Sequence, residues 1–355
     1  MKLIKTAILP ILATFAIAAN AAKPQLDAKL TVSESYIDGG NVYATLKITN
    51  QGKGPQKVLK WYTNLDEQHI FSVSRDGQKV AYQGPHYKRP APVDKDFIKL
   101  APGQSLEKTF ELSSLYDMSE TGNYSVTYDV HSFHLFGNKG QAKKAERKGV
   151  ETLESNTVSF FMQGMPKRGG NGGGGGKPDK GGDSCSGSTC FTGRCDNTQK
   201  NQILSALDSA DAMANDSVAY LNGNIGTRYE SWFGTPTNSR VNKAKSNFAA
   251  INDAIDNEAL TFDCSCKQSY FAYVYPNQPY KIYLCRAFWQ ARETGTDSRA
   301  GTIIHELSHF NVVAGTDDVV YGQSGARSLA DSNPDQALNN ADSHEYFAEN
   351  TPSEN

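Results

Sequence analysis

Apolar and polar residues alternate with a period of two through much of the first half of the chain. Val42, Ala44, Leu46 and Ile48 interleave with Tyr43, Thr45, Lys47 and Thr49, the pattern of a strand with one buried face. Leu30, Val32 and Ser33 precede it across a turn at Asp38-Gly39-Gly40. Further strands are predicted at 58–63, 70–74, 106–112, 124–130 and 157–162, with turn residues at Asp76-Gly77, Pro102-Gly103 and Gly122-Asn123. Short strands punctuated in this way predict an immunoglobulin-like sandwich over residues 22–165. His131 and His134 close one of these strands; with no nearby partner in the pattern, they read as solvated or hydrogen-bonded side chains rather than a metal site.

Beyond residue 185 the period changes. Ile203, Leu204, Leu207, Ala210, Ala214, Val218 and Leu221 recur every three or four positions and predict a helix over 198–221, ended by Asn222-Gly223-Asn224. A second helix is predicted over 239–260, with Val241, Ala244, Phe248, Ile251 and Ile255 on its buried stripe. Residues 280–284 read as extended, an exposed strand edge able to pair with a peptide backbone. A third helix begins near Ser298. The second half is thus expected to be mainly helical with a small sheet.

Between the halves, residues 166–184 contain five consecutive glycines, Gly172 to Gly176, flanked by Lys167, Lys177 and Lys180. Ordering such a segment costs more backbone entropy than burial returns, so it is expected to be a flexible linker open to proteolysis. Lys177 is followed by Pro178, which excludes a phosphate-binding loop. At the start of the chain, Lys2 and Lys5, the apolar run from Ala7 to Ala18 and Ala19-Asn20-Ala21 form a secretory signal, residues 1–21. No later stretch is apolar enough to cross a bilayer. The net charge of -2 on 355 residues gives no reason to expect nucleic acid or an anionic membrane as a partner. Export makes the six cysteines, Cys185, Cys190, Cys195, Cys264, Cys266 and Cys285, candidates for disulfides rather than thiolate metal ligands.

The third helix carries the chemistry. In His305-Glu306-Leu307-Ser308-His309 the histidines are one turn apart on one helical face and can direct two imidazoles at one metal ion. Glu306 stands where it can act on water without ligating the metal. Zinc needs a third protein ligand. Residues 310–314 can finish the helix, Gly315 can break it, and the chain can return to present Asp317 or Asp318; spacing does not choose between them. Zinc held in this way would polarise a scissile carbonyl, Glu306 would serve as general base, and Tyr321 could donate its hydroxyl to the developing oxyanion.

The pair of segments His-Glu-Leu-Ser-His at 305–309 and Gly-Thr-Asp-Asp-Val-Val-Tyr-Gly at 315–322 resembles the aspzincin, or deuterolysin-like, family of zinc metallopeptidases. The resemblance covers roughly residues 190–355 and implies one Zn2+ bound by His305, His309 and Asp318, with Glu306 as base and Tyr321 as oxyanion donor. It also implies the pairings Cys195–Cys264 and Cys266–Cys285, leaving Cys185 with Cys190. The tail from Asn340 to Asn350 resembles the peptidyl-Lys branch, in which the positions of Asp342 and Glu345 form an acidic lysine pocket. Their i, i+3 spacing would put both carboxylates on one helical face.

Taken together, the sequence predicts a secreted, monomeric, two-domain zinc endopeptidase. A β-sandwich prosegment (22–165) acts as its intramolecular inhibitor, a linker (166–184) holds the processing site, and the catalytic domain (185–355) cuts protein substrates before lysine. Self-cleavage would occur before Lys167, Lys177 or Lys180. Two other readings stay open at this point: broad deuterolysin-like cleavage, and a secreted binding protein with a structural metal.

Overall fold

A computed structural model of the chain describes residues 25–33, 41–63, 69–137, 150–163 and 184–354. The signal segment, the 38–40 turn, nearly all of the linker and its three lysines lie outside the described residues.

The N-terminal half is β-rich. Leu26–Val32, Tyr43–Asn50 and Ser105–Glu111 form an antiparallel sheet with Tyr43–Asn50 in the centre. A second antiparallel sheet is built on the long strand Gly122–Ser132, which pairs with Phe71–Arg75, Glu151–Glu154 and Val158–Met162. Alternation fixes which residues face inward: Ala44, Leu46 and Ile48 join Leu30, Val73, Tyr128 and Phe160 in one core. The strand predicted over 58–63 is displaced: the strand is Gln56–Leu59, and Lys60–Tyr62 turns into a short 3-10 helix that buries Trp61 and Tyr62. The strands Phe97–Leu100 and His86–Lys88 carry no clear alternation and were not anticipated.

The C-terminal half packs helices against a mixed sheet. The long helices Asn197–Asn222 and Asn238–Asn257 begin at Asp196 and Thr237, whose side chains accept backbone N–H groups of the first turn. They bury Ile203, Ala206, Ala210, Ala214, Phe248 and Ile251 in the second core. Disulfides close between Cys185 and Cys190, Cys195 and Cys264, and Cys266 and Cys285, with no cysteine left free. No described helix is long and apolar enough to cross a membrane.

The sheet joins the two halves. Its order is Ser184–Ser186, Thr189–Thr192, Thr261–Asp263, Lys281–Leu284, Ala272–Val274 and His86–Lys88. The expected edge at 280–284 is therefore internal, paired on both sides. Ala272–Val274 is the outer strand of the C-terminal half, and a strand from the N-terminal half covers it.

The site helix, Arg299–His309, starts at Ser298, whose hydroxyl accepts the Gly301 N–H at 2.9 Å. It ends at His309, one turn earlier than expected, because Phe310 is extended and Gly315 takes a positive φ of 60°. The terminal helix Ala341–Glu349 lies against it. Glu349 reaches across to accept the backbone N–H and the hydroxyl of Ser298, at 2.8 and 2.7 Å. Gly301 makes this approach possible, since a Cβ there would stand 2.2 Å from Glu349 Oε1.

Alanine normally stabilises a helix relative to glycine by about 1 kcal/mol. At position 301 the clash reverses the sign. Gly301→Ala is expected to lower unfolding free energy by about 1–3 kcal/mol, measured by denaturant titration of the full chain.

Candidate active site

The two motifs of the sequence meet at the C-terminal end of the site helix. His305, Glu306 and His309 are completely buried. The segment after the helix turns back because Thr316 is held at several points. Its N–H donates to the Ser308 carbonyl at 3.1 Å, and its hydroxyl lies 2.6 Å from that of Ser308. Its carbonyl lies 2.8 Å from His309 Nδ1, which fixes Nδ1–H as donor and leaves Nε2 to face the site.

The choice between the two aspartates follows from what each touches. Asp317 pairs by backbone with Asn339 and Ala341, its carboxylate accepts Asn339 Nδ2 at 2.9 Å, and its side chain is 31% exposed. Asp318 is 4% exposed and turns inward, with Oδ1 at 3.1 Å from His305 Nε2 and 3.4 Å from His309 Nε2. Three ligand atoms about 2.1 Å from one tetrahedral ion stand about 3.4 Å apart. The Nε2 atoms of both histidines make no hydrogen bond of proper geometry. Buried imidazole nitrogens and a carboxylate oxygen at this spacing fit a divalent metal of the zinc type.

Glu306 lies beside this cluster with neither carboxylate oxygen hydrogen-bonded. Burial pushes its carboxyl up to about 7, against the opposing pull of His305 and His309. Tyr321 donates its hydroxyl to the Tyr87 carbonyl at 2.8 Å. Its ring stacks edge-on against Trp61 at 5.5 Å.

Asp342 and Glu345 share a face of the terminal helix and are fully buried. They do two things. Asp342 Oδ1 and Glu345 Oε2 lie 2.9 and 3.3 Å from His305 Nδ1, orienting the imidazole from behind. They also surround the ammonium of Lys88: Nζ is 2.6 Å from Glu345 Oε2, 3.4 Å from Asp297 Oδ1 and 3.8 Å from Asp342 Oδ1. Burial alone would lower the Lys88 pKa, but the carboxylates outweigh it and hold it well above the ordinary lysine value.

Five residues of this site carried no recognised signal. Asp297 reaches it from the segment before the site helix, and the consecutive residues His86, Tyr87 and Lys88 reach it from the N-terminal half, His86 with its ring centroid 4.7 Å from that of His309. The fifth is Asn340, whose Oδ1 accepts the N–H groups of both Val319 and Val320 at 3.0 Å and so fixes the backbone on which Asp318 and Tyr321 sit. A buried asparagine just before a helix could have suggested a loop-holding role. By contrast, His131 is half-exposed on Asp129, at 2.8 Å, and neither it nor His134 belongs to a metal-type cluster among the described residues.

Residues 219–349 match the family model described as aspzincin, lysine-specific metallo-endopeptidase. An extracellular protease of Aeromonas hydrophila is 50% identical to this chain, covering 93% of each. The chain belongs to the aspzincin family. It is accordingly a metalloendopeptidase. A peptidyl-Lys metalloendopeptidase of Armillaria mellea is 34% identical over 96% of this chain and 95% of its own. A solved zinc peptidase from Grifola frondosa is 42% identical, covering 45% of this chain and 100% of its own, with a TM-score of 0.44. This aspzincin thus matches relatives along both of its halves.

Because Asn340 holds the metal-facing loop, its loss should be felt at the metal. Asn340→Ala leaves two backbone N–H groups without their acceptor and is expected to weaken metal binding by about 10- to 100-fold, read by competition with a chromogenic chelator.

Proposed function

We propose that this protein is a secreted zinc metalloendopeptidase, made as an inactive precursor, that cleaves peptide bonds on the amino side of lysine. In this reading residues 22–165 are an immunoglobulin-like prosegment that inhibits residues 185–355. The chain frees itself by cutting before Lys167, Lys177 or Lys180. The observation that carries the specificity is Lys88. Its ammonium fills the pocket of Glu345, Asp297 and Asp342, while the carbonyl immediately before it, that of Tyr87, accepts the Tyr321 hydroxyl. A lysine in the pocket therefore presents its preceding peptide bond to the catalytic groups. The signal-like N-terminus and the three disulfides support export. Relatives named extracellular protease and peptidyl-Lys metalloendopeptidase support both parts of the reading.

In this reading each group has its own task. His305, His309 and Asp318 would hold one Zn2+, which supplies a Lewis acid for the carbonyl and lowers the pKa of water. Glu306, with its carboxyl raised to about 7, takes a proton from the attacking water and returns it to the leaving amine. Tyr321 donates to the carbonyl oxygen as negative charge develops there. Asp342, Glu345 and Asp297 bind the lysine ammonium; a neutral side chain would leave buried carboxylates without a counter-charge.

Glu306→Ala is expected to reduce peptide hydrolysis by about 100- to 10,000-fold and to leave the precursor uncut. Fragments of a protein digested by the active enzyme should begin with lysine. Fragments with unrelated first residues would indicate broad cleavage, and normal processing of Glu306→Ala protein would exclude self-activation.

A further inference from the structure

The strand His86–Lys88 has the properties of a bound substrate. It pairs antiparallel with the outer strand Ala272–Val274, in the register Lys88 opposite Ala272, Tyr87 opposite Tyr273 and His86 opposite Val274. The ladder continues as Phe271 donates its N–H to the Lys88 carbonyl at 3.0 Å. Prolines at 85 and 90 bound the segment, and neither has an N–H with which to extend it. Side chains alternate along the strand, so His86 and Lys88 point to one side and Tyr87 to the other. Tyr87 accordingly packs against Tyr270 and Tyr273, at 5.0 and 5.6 Å between ring centroids. Its N–H donates to Asp318 Oδ2 at 3.1 Å and its carbonyl accepts from Tyr321.

A lysine in the specificity pocket, its preceding carbonyl on Tyr321 and Glu306 nearby describe a scissile bond at Tyr87–Lys88. Something must keep that bond from being cut, and His86 is placed to do so. Its side chain is 5% exposed. One ring nitrogen of His86, one of His309 and one carboxylate oxygen of Asp318 all lie within 4.8 Å of each other. With His86 Nδ1 4.0 Å from Asp318 Oδ2, an imidazole there is of the donor type that would take the zinc position a catalytic site leaves open for water.

We propose that His86-Tyr87-Lys88 is a built-in pseudosubstrate: Lys88 fills the lysine pocket, Tyr87–Lys88 occupies the position of the cleaved bond, and His86 takes the metal position that water needs. The inference rests on the lysine-specific metallopeptidase reading above and adds its mode of inhibition. Release of the N-terminal half would remove pocket blocker and metal blocker together, since they are two residues apart on one strand.

The test uses the full-length chain carrying Glu306→Gln, which keeps it uncut, loaded with Co2+ in place of zinc. His86→Gln in this background is expected to change the visible cobalt spectrum and to speed metal removal by a chelator about tenfold, by loss of one nitrogen ligand. Lys88→Met is expected to tighten binding of a fluorescent lysine-containing peptide at least tenfold relative to the parent, measured by anisotropy. Thermal unfolding of each variant confirms that it is folded; because His86→Gln leaves the Lys88 ion cluster intact, that arm remains decisive if Lys88→Met misfolds. A cobalt spectrum and chelation rate unchanged in His86→Gln would overturn the metal-blocking role. Peptide binding unchanged in folded Lys88→Met would overturn the pocket-blocking role. Failure of the underlying specificity looks different: the opened Lys88→Met chain would then bind a peptide with norleucine in place of lysine equally well.

Discussion

Burying Asp342 and Glu345 side by side at the base of the site is costly unless positive charge meets them. Two groups face them: His305 through Nδ1 and Lys88 through its ammonium. The rest of the site is arranged around this requirement. The terminal helix must lie close to the site helix for the carboxylates to reach His305, and Gly301 and Glu349 provide that approach. Asp297 extends the acid cluster toward the pocket mouth, with the Tyr346 hydroxyl donating to the same carboxylate at 2.8 Å. Under the proposed release of the N-terminal half, the cluster would lose the Lys88 ammonium and need another positive charge. In that reading a substrate lysine would supply it.

Much of this was legible in the residues because some geometry is local. His305 and His309 fall on one face of any helix that contains them, and Asp342 and Glu345 fall together for the same reason. Strand alternation likewise assigns Leu46 and Ile48 to the core of the β-rich half. The choice between Asp317 and Asp318 was not local. It depends on Asn340 gripping Val319 and Val320 and on Asn339 receiving Asp317, contacts made about twenty residues further along. His86-Tyr87-Lys88 was least visible. Three residues are too few to show a period, and their partners Asp318, Tyr321 and Asp297 lie more than two hundred positions away. Nothing in the chain before residue 185 distinguishes Lys88 from its other lysines until the fold brings it to the pocket.

The same gap explains the misplaced strand edge. Residues 281–284 have the alternation of a half-exposed strand, but Thr261–Asp263 pairs along one side and Ala272–Val274 along the other. Ala272–Val274 is shorter and follows a disulfide-bound turn containing Cys266, so its periodicity is weak. The outer position is consequential. A peptide that binds there adds backbone hydrogen bonds that do not depend on its sequence, leaving selection to the side-chain pockets.

The proposed metal site and lysine pocket share atoms, so they are not independent parts. Asp342 Oδ1 faces both His305 Nδ1, at 2.9 Å, and Lys88 Nζ, at 3.8 Å, while its Oδ2 accepts the Gly322 N–H at the end of the loop that carries Asp318 and Tyr321. Altering that carboxylate to admit another side chain would disturb the His305 contact and loosen the loop that carries Asp318 and Tyr321. In the proposed reading, a preference for lysine is therefore tied to the ability to hold the metal. In the same reading, variation in what precedes the lysine would meet no such constraint, because the Tyr87 side chain packs away from the acid cluster against Tyr270 and Tyr273.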